Sequence, residues 1–287
     1  MHGLGNDYVY VDLKATPLDP AAAPALARRV SPRRVGVGSD GLILIGPSAV
    51  ADARMHMFNA DGSRGRMCGN GARCVARYVY ERWTRRTPAT IETDGGVRTA
   101  TISFDAQGRP AAVSIDLGAP RLDAEEIPCR GEGRVVDAAL KIPGCCEAPL
   151  RPRLTCVNLG NPHAVTFVED VATAPVEILG PEIERDPFFP EGVNVEFVRV
   201  VGPERLEIRV WERGSGETSA CGTGAAAAVV AATLVGRLVR GVRVAAAMPG
   251  GEAHVTWRAD GAVVLEGPAE FAFEGVIDAP ELGDPVR

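Results

Sequence analysis

The sequence predicts an α/β protein of the α+β type, built as two copies of one domain. Short β-branched runs punctuated by Gly and Pro outnumber helical patterns, so sheet dominates. The 287 residues suffice for two domains of similar size, at roughly 100–200 residues each. The third observation is an internal echo. Cys68-Gly69-Asn70-Gly71-Ala72 and Cys221-Gly222-Thr223-Gly224-Ala225 both read C-G-x-G-A at the start of a helical pattern. Asn59 and Glu212 stand equally far before the two cysteines, and Gly5-Asn6 and Gly160-Asn161 precede them at nearly equal distances.

In chain order, strands are predicted at 8–11, 42–45, 55–58, 97–104, 113–117, 154–157, 165–168, 195–201, 206–211, 242–246 and 263–265. A helix is predicted over 20–30, with Asp19 as N-cap and proline in its first turn, and others over 69–83 and 222–238. Residues 119–152 are rich in Pro, Gly and charge, and carry the adjacent pair Cys145-Cys146. They divide the chain into an N-terminal domain, 1–118, carrying Cys68, a linker that runs into the second domain, and a C-terminal domain, 153–287, carrying Cys221.

Hydrophobic residues make up 46%, charged residues 24% and aromatics 5%, so the chain is globular with a mostly aliphatic core. A net charge of −6 without a long Lys/Arg block argues against nucleic acid as partner. Arg28-Arg29, Arg33-Arg34 and Arg85-Arg86 read as solvated surface. The longest strongly apolar run, 225–235, is about half the roughly twenty residues a bilayer needs, and reads as a buried helix. No membrane partner is expected. The N-terminal residues have neither the charged nor the apolar region of a secretory signal, so the cytoplasm is the expected location. The 7 cysteines are an odd number without C-x-x-C, which fits neither a disulfide framework nor a zinc site, so reduced thiols and no metal are expected. The two lysines, Lys14 and Lys141, sit at a strand end and in a loop, so a pyridoxal Schiff base is not expected. Gly36 to Gly41 match G-x-G-x-x-G, but a strand follows where dinucleotide binding needs a helix. No cofactor is expected.

A thiol at a helix N-terminus meets unpaired backbone N–H groups and the positive end of the helix dipole, which lower its pKa from about 8.5. The same N–H groups hold anions, so a carboxylate between two such helix starts has its α-carbon between two acid/base groups. Two such groups on opposite faces are what stereoinversion by proton removal and return requires.

Beyond the duplicated cysteines, the segments His2-Gly3-Leu4-Gly5-Asn6-Asp7, Phe58-Asn59-Ala60-Asp61-Gly62-Ser63, Met67-Cys68-Gly69-Asn70-Gly71-Ala72-Arg73-Cys74, Gly160-Asn161-Pro162-His163, Val193-Asn194-Val195, and Glu212-Arg213-Gly214 through Cys221-Gly222-Thr223-Gly224 closely resemble diaminopimelate epimerase along nearly the whole chain. The resemblance implies two pseudo-symmetric, mostly antiparallel barrel-like domains, each around a central helix, with the active site in the cleft between them. It implies cofactor-independent interconversion of LL- and meso-2,6-diaminopimelate, in lysine biosynthesis. Carried over by position, it makes Cys68 and Cys221 the acid/base pair, with His163 and Glu212 near the thiols. Gly69, Asn70, Gly222 and Thr223 become donors to the substrate carboxylate. Asn6, Asn59, Asn161, Asn194, Glu212 and Arg213 become the binding shell, with Arg213 on the distal carboxylate and Glu212 on an ammonium. The expected assembly is a homodimer.

Taken alone, residues 59–62 read as a turn, Arg213 as a surface ion pair and His163 as structural. Cys74, Cys129, Cys145, Cys146 and Cys156 read as core. Three positions depart from the family pattern. The chain begins at Met1, directly before the His2 segment, where the family usually has a strand, so either a start assigned too late or a short first strand is expected. Gly41 stands where many members carry glutamine and is assigned no substrate contact. Arg64 and Arg66 stand where acidic residues are frequent, and their charge is expected to lower the Cys68 thiol further. Two other readings fit the duplicated cysteines: a two-cysteine racemase of the proline-racemase kind, and a non-catalytic amino-acid-binding or thiol redox protein.

Overall fold

A computed structural model of the chain describes residues 1–65, 67–140 and 152–277. The chain divides into two compact units, one of Met1–Ile115 with the segment from Gly267, the other of Asp116–Glu266. In this division the C-terminal segment from Gly267 belongs with the first unit, and the described residues of 119–152 with the second.

The first unit is entered through a hairpin of His2–Gly3 with Asn6–Asp7, turned by Leu4 at φ 59° and Gly5 at φ 79°. Val9–Asp12 then pairs in parallel with Gly41–Gly46, and the crossover between them carries helix α1 (Ala23–Val30). Asp19 Oδ1 accepts from Ala21 N at 2.9 Å and starts a 3-10 turn, Pro20–Ala22, ahead of α1. Gly41–Gly46 pairs antiparallel with Ala53–Asn59, whose other neighbours are the short antiparallel Arg64–Gly65 and the parallel Ala89–Thr93. The second crossover carries α2 (Gly69–Val79). Antiparallel strands Gly96–Phe104 and Pro110–Asp116 follow. Leu42, Ile43, Leu44 and Ile45 are all fully buried, as expected of a continuous apolar strand covered on both faces.

The second unit repeats this order. Its hairpin joins Arg153–Asn158 to Pro162–Phe167. Pro162–Phe167 pairs in parallel with Asn194–Gly202 across a crossover carrying α3 (Val176–Glu184). Asn194–Gly202 pairs antiparallel with Arg205–Glu212, which also holds the short antiparallel Gly216–Thr218 and the parallel Arg243–Met248. That crossover carries α4 (Gly222–Leu234), and antiparallel Gly251–Trp257 and Val263–Gly267 complete the series. From the parallel pair onward, the echo in the sequence is therefore a duplication of strand pairing, while the entry hairpins differ.

Residues 222–232 of α4 are buried on every side, packed against strands from Arg153–Asn158 round to Gly251–Trp257. A helix apolar all round is a core helix, and its run of alanines lets the surrounding strands approach closely. Ala228→Leu is expected to cost about 1–3 kcal/mol by overpacking, read as a fall in Tm; an unchanged Tm would mean that α4 is not the tightly packed centre of this unit.

Three elements differ from the sequence reading. α4 stops at Leu234, where Gly236 at φ 76° turns the chain and Arg237 N returns to Ala232 O at 2.8 Å. α2 stops at Val79 and continues as one π turn, Tyr80–Thr84. α3 was hidden because Gly180-Pro181 reads as a breaker, yet Gly180 lies against Trp211 where a Cβ would fall 2.5 Å from the ring. No helix among the described residues is long and apolar enough to cross a membrane.

Candidate active site

In the first unit, Cys68 is the extended N-cap of α2, at φ −132° and ψ 121°. Its Sγ accepts from Gly71 N at 3.3 Å and lies 3.4 Å from Asn6 Oδ1, to which it donates. Asn70 Nδ2 donates to the same Asn6 oxygen at 3.3 Å. Asn6 Nδ2 in turn donates to Asp40 Oδ2 at 2.7 Å, so the tight Leu4-Gly5 turn fixes this carboxamide at the sulfur. Asn59 donates to Ser63 Oγ at 2.9 Å, within its own turn.

In the second unit, Cys221 caps α4 at φ −121° and ψ 112°, its Sγ lying 3.6 Å from Thr223 Oγ1. Gly222 and Thr223 open the helix, as Gly69 and Asn70 open α2. His163 is fully buried, with Nδ1 2.7 Å from Glu196 Oε1 and Nε2 3.0 Å from Asn161 Oδ1. Asn194 joins two segments, donating to Pro162 O at 2.8 Å and accepting from Arg213 N at 3.0 Å. Glu212 accepts a short hydrogen bond from Thr218 Oγ1. Arg213 is exposed and donates to Glu191 O at 2.8 Å; among the described residues it has no carboxylate partner, so the surface ion-pair reading does not hold.

The electrostatics of this half overturn one expectation. Burial, reinforced by the Glu212 and Glu196 carboxyl groups, pushes the Cys221 thiol well above its usual range, although Thr223 and Gly224 N act to lower it. Desolvation and two acidic neighbours outweigh the helix terminus, so Cys221 rests as a thiol. Burial likewise raises the Glu212 carboxyl, against the hydrogen bond from Thr218. Alkylation of Cys221 by iodoacetamide is expected to rise with pH to a midpoint above the ordinary value of about 8.5. A midpoint at or below it would show that the helix terminus prevails.

The expected influence of Arg64 on Cys68 is also corrected. Arg64 is committed to Asp94, through Nε at 2.5 Å and Nη2 at 3.0 Å, and holds that carboxyl below its usual range. Arg66 lies outside the described residues, as do Lys141, Cys145 and Cys146. Gly41 has no room for a side chain, since a Cβ would fall 2.1 Å from Phe58 O. Cys74 and Cys156 are buried, Cys129 packs against the core around Cys156, and all five described cysteines are reduced. Sequence reasoning missed Glu196, a charge inside the apolar run Val195-Glu196-Phe197, and Arg73, on the buried face of α2. Among the described residues no group of three or more His, Cys, Asp or Glu side chains is clustered as a metal site needs.

The chain is thus a duplicated α/β protein in which a cysteine caps the central helix of each copy. A solved structure of a probable proline racemase from Agrobacterium radiobacter shares this fold, with TM-score 0.66 at 20% identity, covering 93% of this chain and 84% of that one. The family model for diaminopimelate epimerase matches residues 1–122 and 155–272. Relatives named diaminopimelate epimerase are 48% identical over 279 residues in Geobacillus thermodenitrificans and 49% identical over 280 residues in Geobacillus kaustophilus, each match covering 96% of this chain and 94% of the relative. The chain belongs to the diaminopimelate epimerase family.

Proposed function

We propose that the chain interconverts LL- and meso-diaminopimelate, a cofactor-independent step of lysine biosynthesis, with Cys68 and Cys221 as its two acid/base groups. The observation that carries the reading is the matched placement of both cysteines as extended N-caps of the two core helices, in units whose strand pairing matches from the parallel pair onward. One sulfur, as thiolate, takes the α-proton and becomes a thiol. The other, as thiol, gives its proton to the opposite face and becomes a thiolate, so the proton count is unchanged and the stereocentre inverts. The helix-start N–H groups of Gly69, Asn70, Gly222 and Thr223 hold the α-carboxylate and stabilise the charge that develops as the proton leaves. Cys221, held as a thiol, is the proton donor in one direction. Glu212 pairs an ammonium and, with His163, sets the charge beside that thiol. Asn6, Asn59, Asn161 and Asn194 complete the shell, and Arg213 takes the distal carboxylate.

The test follows exchange of the α-proton in deuterated water under reducing conditions, with LL-diaminopimelate and with L-proline. Exchange with inversion is expected to be fast for diaminopimelate and far slower for L-proline. Exchange of L-proline instead would favour a proline-racemase activity, and exchange of neither a binding or thiol redox protein. A homodimer in the cytoplasm is the assembly and location this reading expects, the first checked by light scattering.

A further inference from the structure

Arg73 stands on the buried face of α2, one turn beyond Cys68, and is fully buried. Its Nη2 donates to Asn70 Oδ1 at 2.7 Å, its Nε reaches Pro268 O at 3.4 Å, and its Nη1 makes no hydrogen bond. Among the described residues no carboxylate pairs with it. The guanidinium is tightly walled: a Cβ on Gly3 would fall 3.0 Å from Nη2, and one on Gly267 would fall 3.1 Å from it. A guanidinium does not shed its proton, so a buried one favours an anion beside it.

The ionisable groups that face Arg73 are Cys74, Cys68 and Tyr10. Burial pushes the Cys74 thiol and the Tyr10 phenol up, which keeps both neutral. The Met1 ammonium lies towards Cys74, and the acidic groups behind Asn6, Asp7 and Asp40, are both paired with Arg33. Cys68 is the third of these groups. The second unit supplies the contrast, because the helix position matching Arg73 is the fully buried Ala226, and the charged neighbours of Cys221 are the carboxyl groups of Glu212 and Glu196.

We propose that Arg73 is a positioning residue of the Cys68 half: its guanidinium is the counter-charge that favours the Cys68 thiolate, in competition with the Asn6 oxygen to which the thiol donates and which Asn70, held by Arg73, fixes at the sulfur. The two copies of the duplicated unit thus carry opposite charge beside their cysteines, and this asymmetry sets which sulfur holds the proton at rest. The inference deepens the two-cysteine reading of the site, but its test does not depend on turnover.

The whole reduced chain, without substrate, is alkylated with iodoacetamide across a pH series, and the Cys68 and Cys221 peptides are quantified by mass spectrometry. In the wild type the Cys68 midpoint is expected at least about one unit below the ordinary 8.5 or so. Arg73→Met is expected to raise that midpoint by about one unit or more, roughly a tenfold loss of thiolate, and Arg73→Lys to restore part of it, with Cys221 unmoved in both. A structural disturbance would move both cysteines. A wild-type Cys68 midpoint at or above 8.5, roughly the unperturbed value, overturns the proposal without any variant, so it stays testable if Arg73→Met does not fold. A folded Arg73→Met with an unchanged Cys68 midpoint overturns it as well. Failure of epimerisation in the exchange assay leaves this titration untouched, so the two readings fail separately.

Discussion

Cys68→Ala and Cys221→Ala are each expected to lower diaminopimelate epimerisation by about 10³-fold or more, with the fold retained. Positioned acid/base groups typically contribute 10²–10⁴-fold, and in the proposed mechanism the two groups serve opposite faces of one carbon, so neither would replace the other. The structural cost is small by comparison. Cys68 Sγ accepts one N-cap hydrogen bond, from Gly71 N at 3.3 Å, and losing such a cap costs about 0.5–2 kcal/mol. Cys221 is fixed at its position by backbone, with Ala225 N donating to Cys221 O at 2.9 Å, which alanine preserves. Cys74→Ala is the control. That thiol is fully buried on the same helix, so its loss is expected to cost roughly 1 kcal/mol of stability and to leave turnover near wild type. Near-wild-type turnover in either Cys68→Ala or Cys221→Ala would end the two-base mechanism.

The local reading of the sequence reached far into the fold and stopped where charges meet across strands. The C-G-x-G-A pentapeptides located both cysteine caps because glycine and a small residue after an extended cysteine are a local signal, read within one turn. Alternating and continuous apolar runs found most strands for the same reason. Ala89–Thr93 and Gly251–Trp257 were missed because alanine, glycine and charged or polar residues dilute their β-branched character. The state of Cys221 was not legible locally. Its acidic neighbours come from Asn194–Gly202 and Arg205–Glu212, adjacent strands that reach the sulfur only in the folded unit, and they reverse the sign that the helix terminus alone would give. Arg64 failed in the converse way: near Cys68 in sequence, its charge is taken up by Asp94 from a distant turn.

Arg213→Lys is expected to lower kcat/KM for diaminopimelate by about 30-fold to 5,000-fold, the range that 2–5 kcal/mol for losing one partner of a paired charge implies. The guanidinium is exposed, and among the described residues no carboxylate occupies it, so its planar two-point face is open to a ligand. Its backbone is held by Asn194 Oδ1 at 3.0 Å, and its stem lies on Gly192, where a Cβ would fall 3.0 Å from Arg213 Cδ. Gly192 adopts φ 71°, so the chain turns there in a conformation that favours glycine and leaves the arginine its track. Lysine keeps the charge but presents a point donor in place of the fork, so on the proposed reading the distal carboxylate would lose its two-point grip. A one-centre amino acid has no distal carboxylate to lose, so its slow α-proton exchange is expected to be the same in wild type and variant. The measurement compares kcat/KM for both substrates in both proteins. Equal losses would place Arg213 in the structure of the Asn194 turn or in the electrostatics of the thiols, and would remove it from recognition of the far end of the substrate.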